Sequence, residues 1–238
     1  MLRTKAPTDT DESITYYSNQ LRSFDRYDFP EEWALCHVSL AKLFTDRKKG
    51  KRKGNIENAL YHIENAMQVY KQKTHPLLWS DSAMMACTLF RERVGLHEQK
   101  AIKKQQQMKH KGMLDAERAL ENAEAAMTVL TKSEQPVRWA RCKREIAFSH
   151  MKRFEGEKFH VDEQESIEIC IRNLEECIEV FEELRSVERK KDKLSVAASK
   201  KTLVLTLVTG DTEKVIPQYE LGKAKYVLGV TMARRHEG

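Results

Sequence analysis

A proline followed three residues later by a tryptophan stands at Pro30 and Trp33, Pro76 and Trp79, and Pro136 and Trp139, and each time the same run of residue types follows. Seven and eight positions beyond the Trp come Leu40 and Ala41, Ala86 and Cys87, Ile146 and Ala147. Eleven beyond come Phe44, Phe90 and His150; fourteen beyond come Arg47, Arg93 and Arg153. Proline's fixed φ and missing N–H cost nothing in the first turn of a helix, so the pattern predicts a helix opening at each proline. After each comes a second pattern: "NIENALYHIENAMQVY" at 55–70, "DAERALENAEAAMTVL" at 115–130 and "SIEICIRNLEECIEVF" at 166–181. Ala59, Leu60, Ile63, Ala66, Met67 and Tyr70 fall on one helical stripe, and the other two copies keep apolar or small residues at every one of those positions. A stripe rewritten this way is covered only by neighbouring helices, which predicts stacked helical hairpins.

The spacing is regular enough to extend. Asn55 to Trp79 and Asp115 to Trp139 are both 24 residues, and the same count from Ser166 reaches Lys190, with Ala197 and Ala198 at the positions of the small pair. Counting back from Trp33 starts a helix near Asp9, with Ile14, Tyr17, Leu21 and Phe24 on its stripe. The chain therefore reads as a half unit over 9–26, unit one over 30–73, unit two over 76–132 with a basic insertion at 97–112, unit three over 136–187, and a degenerate capping unit over 190–236. Alternatively it is a piece of a longer array. Nine Gly and five Pro in 238 residues leave little material for hairpin turns and favour an all-α fold of about seven or eight helices. Pro217 should break or kink the last helix. The β-branched run at 202–209 is read as helix, with a strand as the alternative.

The small pair of the first helix, the Ala59, Ile63, Ala66 pattern of the second and the hairpin arrangement resemble tetratricopeptide repeats. The longer form, with Pro, Trp-Ala, Arg fourteen on and a second helix ending in "VY", is similar to the extended repeats found beside CHAT protease domains. The resemblance covers roughly residues 9–187 and implies a right-handed α-solenoid serving as a protein-interaction scaffold. Trp-to-Trp spacings of 46 and 60 residues depart from the family's shorter unit. No CHAT domain is present in the sequence.

No Gly-rich phosphate loop, HExxH or GxSxG occurs, and the eight histidines are dispersed, so no catalytic, cofactor or metal site is expected. Five cysteines, none in a CxxC pair, read as reduced thiols in packing positions. No run is long and apolar enough for a membrane span, and the first residues lack a signal peptide's apolar core, which makes the cytoplasm the default compartment. The regular arginines Arg47, Arg93 and Arg153 are expected to cap the first helices and pair with Glu57, Glu117 or Glu168, with contacts to an acidic ligand as the other reading.

Net charge is +6, with the excess clustered. Lys48, Lys49, Lys51, Arg52 and Lys53 in one inter-helix loop, and Lys103, Lys104 and Lys111 in the 97–112 insertion, would form a basic rim. High helix propensity also allows that insertion to lengthen an adjacent helix instead. The resemblance implies a concave groove lined by first helices, with Lys42, Arg91, Arg141, Arg144, Phe148 and Lys152 among its residues and an acidic peptide or helix as partner. The expected function is non-catalytic protein binding in that groove. The alternatives are nucleic-acid or acidic-partner binding along the rim, and a structural subunit of a larger assembly.

Overall fold

The computed structural model describes residues 9–101, 107–155, 163–198 and 224–232, with side chains over 9–97, 111–152, 165–187 and 224–232. Pro30, Pro76 and Pro136 are the first residues of α2 (Pro30–Asp46), α4 (Pro76–Ala101) and α6 (Pro136–Glu155). In each, the Trp amide donates to the carbonyl of the residue before the proline: Trp33 to Phe29 at 2.9 Å, Trp79 to His75 at 2.8 Å, Trp139 to Gln135 at 2.8 Å. The Pro-to-Trp spacing is thus the first i→i−4 bond of a helix. The preceding residue closes on a carbonyl four back in all three cases, Phe29 on Asp25, His75 on Lys71 and Gln135 on Thr131. The connectors are built alike as well as the helices.

The other helices are α1 (Thr10–Ser23), α3 (Arg52–Ala66), α5 (Gln107–Met127), α7 (Glu163–Ala198) and α8, over residues 224–232. Among the described residues every regular element is a helix. The Asp9 carboxylate caps α1 by accepting from the amides of Asp11 and Glu12. The backward count therefore reaches the true helix start.

Helices pack on their chain neighbours, and α4 also meets α6. The recurring stripe is the buried face each time: Ala59, Ile63 and Ala66 in α3, Ala119, Ala123 and Ala126 in α5, and Cys170, Leu174 and Cys177 in α7 are all inaccessible to solvent. Small residues there let helix axes approach, and the Cys142 and Cys170 thiols donate to the carbonyls of Ala123 and Ala147 on neighbouring helices, both at 3.0 Å. Larger side chains supply the apolar area, roughly 2–3 kcal/mol for a fully buried Leu174 or Phe181. One core cluster runs from Ala41 on α2 to Ile146 on α6; a second joins α6, α7 and Ala224 of α8, and Trp139 packs against both. In α1 the stripe residues Ile14, Tyr17, Leu21 and Phe24 are only half-buried.

Two expectations change. The break expected between 187 and 190 is absent, because α7 continues unbroken to Ala198. The segments leading to Trp79 and Trp139, "QVYKQKTHP" and "TVLTKSEQP", end in proline, whereas "EVFEELRSVERKK" has none and is rich in helix formers. The basic insertion is also mostly helical where described: α4 runs through Ala101 and α5 begins at Gln107. Residues 202–209 and Pro217 lie outside the described residues. Further on, α8 packs through Ala224 and Val227 onto the second core cluster, with Lys225 paired to Glu182 and Thr231 3.7 Å from the Met151 sulfur.

Candidate protein-binding face and basic rim

The α4–α6 contact brings three of the groove residues into one cluster. On α4, Arg91 reaches across to the Glu145 carboxylate at 2.6 Å, and Arg144, beside Glu145 on α6, holds its other oxygen at 2.7 Å. Both guanidinium groups lie over the Phe148 ring, with Cζ atoms 4.9 and 5.7 Å from its centroid. Glu145 is 2% exposed. Burial pushes its carboxyl up, but Arg91 and Arg144 outweigh that and hold it below the usual carboxylate range. One carboxylate serves two guanidinium groups, and Arg144 is engaged with its surroundings besides. A second bridge, Arg138 to Asp81 at 2.9 Å, ties α6 to α4 nearer their N-terminal ends.

Arg144 and Phe148 are therefore buried, and Arg91 is spent largely on an internal partner. Arg141 and Lys152 lie half-buried on α6, each engaged with its surroundings. Lys42 is exposed on α2. Glu145, the hub, was not singled out from sequence. Its signal was available: six positions beyond the Trp the other units hold Ser39 and Met85, and a carboxylate beside the core pair Ile146 and Ala147 needs a cation.

On the rim, the positive charges are partly spoken for. Arg47 and Lys49 converge on Asp11 of α1 at 2.7 and 2.8 Å, and hydrogen bonds from Lys49 and then Arg47 hold that half-buried carboxyl below its ordinary range. Arg52 grips Glu92 with two nitrogens and donates to the Thr45 carbonyl, while Lys53 pairs with Glu57 at 3.4 Å. The Asn55 amide closes the loop by donating to the carbonyls of Arg47 and Lys49. Lys48, Lys51 and Lys111 point to solvent. Lys103 and Lys104 lie outside the described residues.

The regular arginines pair with aspartates rather than with the expected glutamates. Arg47 takes Asp11, and Arg93 makes two bonds of 2.7 and 2.6 Å to Asp115. Glu57 and Glu117 stand two residues beyond Asn55 and Asp115, which is about 200° around the helix, so they face away from the end of the first helix. The side chain of Arg153 lies outside the described part.

The buried thiols are chemically quiet. Burial pushes Cys87, Cys142 and Cys177 up to about 12, and all five cysteines are free. Two histidines 25 residues apart do meet: His37 and His62 face each other through their Nδ1 atoms at 2.9 Å. His97 lies 3.4 Å from Asp115. Among the described residues no group of three His, Cys, Asp or Glu gathers, and no helix is long and apolar enough to cross a membrane. Compared with protein-family models, curated proteins and solved structures, the chain has no match in any of the three.

Proposed function

We propose that the chain is a right-handed α-solenoid of tetratricopeptide-like hairpins that binds an acidic peptide or helix of a partner protein along the face lined by α2, α4 and α6. The observation that carries this reading is the meeting of α4 and α6, which sets the partly exposed cations Arg91, Arg141 and Lys152 on adjacent first helices, with the Arg91 bridge to Glu145 fixing how the two helices face each other. Cations gathered on neighbouring first helices suit an acidic partner. The matching burial register of α3, α5 and α7 supports the solenoid. Free cysteines suit a reducing compartment such as the cytoplasm, and burial keeps the Cys87 and Cys142 thiols protonated and weakly nucleophilic.

The test is binding of the whole chain to an acidic peptide library, followed by Lys42→Glu and Arg141→Glu variants. The reading expects each reversal to weaken the best binders about tenfold at low salt. Equal binding by both variants would sink it. The second reading, nucleic acid on the rim, rests on Lys48, Lys51 and Lys111 being exposed. The three cations exposed among the described residues would give a salt slope of about −3. A slope of about that size in an RNA or DNA titration, abolished by neutralising those three lysines, would favour it over the groove.

A further inference from the structure

His37 on α2 and His62 on α3 present their Nδ1 atoms to each other at 2.9 Å. A single proton lies between them, since one ring must donate through Nδ1 and the other must offer its lone pair. The rings are held in place from several sides. Trp33 tilts onto His37 with centroids 4.1 Å apart, Phe44 stacks on His62 at 5.7 Å and 12°, and Tyr61 lies edge-on to His62 at 5.2 Å. His37 is 3% exposed and His62 only half-buried, beside a Tyr61 that is 60% exposed, so the pair opens to solvent on the α3 side.

Two imidazole nitrogens aimed at one point on rings fixed by packing make a chelate in waiting. We propose that His37 and His62 form a two-imidazole site for a borderline divalent cation of the Zn2+ kind, bound between the two Nδ1 atoms. Two Zn–N bonds of about 2.0–2.1 Å at a tetrahedral angle place their nitrogens about 3.3 Å apart, so the rings separate by a few tenths of an ångström. The cation takes the place of the shared proton, and that proton moves to Nε2 of the ring that donated it. Both ligands stay neutral imidazoles and no net proton is released. Burial helps, because desolvation lowers both histidines to about 4, with His62 adding to the effect on His37, and keeps both in the ligating form at neutral pH. Among the described residues no third His, Cys, Asp or Glu completes the set. The remaining coordination positions go to water or a small external ligand, which makes this an open site and not a closed structural one.

The test uses the full chain, stripped with chelator and titrated with Zn2+ by calorimetry and thermal melting. One saturable site per chain is expected, with Tm rising as free Zn2+ rises, because the site exists only in the folded state. His62→Gln should weaken binding at least about tenfold, while His75→Gln, outside the pair, should leave it unchanged. His37 is buried, and a variant there risks the fold, so a second readout needs no variant. Co2+ bound to the wild-type chain should show two imidazole nitrogens by X-ray absorption. Absence of a saturable site, undiminished binding in His62→Gln, or fewer than two imidazole ligands on Co2+ would each overturn the assignment.

Discussion

The side chain of Glu145 faces two guanidinium groups in a place water does not reach, and its removal exposes the cost of that arrangement. Glu145→Ala takes from Arg91 and Arg144 the buried carboxylate they share, an expected loss of about 3–5 kcal/mol in urea unfolding. Acid acts on the same group. Its folded carboxyl sits below the ordinary value of 4.5, so the unfolded chain takes the proton first. That stability is present above pH 4.5 and is lost as pH falls through the folded value. The His37 and His62 pair acts at higher pH. Their folded values of about 4 lie below the ordinary 6.5, so the unfolded chain protonates first here too. In metal-free buffer the urea midpoint should be level above pH 6.5, decline between 6.5 and 4, and fall further below that. His62→Gln should make the first decline shallower, since buried His37 and His97 still contribute to it, and leave the second.

At the scale of elements, proline placement and its absence explain both the helix starts and the one junction that departs from the pattern. Continuous α7 is checked by spin labels at Arg172 and Ser195, 23 residues apart, for which a straight helix gives about 35 Å and a hairpin near 188 about half that. The loop between α2 and α3 turns on Gly50, whose φ of +83° is open to glycine and costly for other residues. A Cβ there would meet only Arg47 and Asn55 atoms at 3.6 and 3.7 Å, so the strain is in the backbone and not in crowding. Gly50→Ala should cost about 1–2 kcal/mol, read from the shift in Tm.

For the whole molecule, Trp139 is the joint between two core clusters. Truncating it to Ala should remove about 3 kcal/mol, toward the low end for a tryptophan because it is only partly buried. The more telling outcome is the shape of the melt. Calorimetry on Trp139→Ala should resolve two transitions where the wild-type chain shows one, because the side chain shared by the two clusters is gone. The proposed binding face belongs to this scale as well, since α4 and α6 form it only by meeting.

Helix class, helix starts and the buried stripe were legible in the sequence because their causes are local. Proline fixes its own φ, an Asp at the right place caps its own helix, and a 3.6-residue period needs no knowledge of the partner it will face. The pairings were not legible in the same way. Arg91 with Glu145, His37 with His62 and Arg93 with Asp115 join residues 54, 25 and 22 apart. Each depends on how one helix is rotated against the next, and only the packing of complete helices decides that rotation.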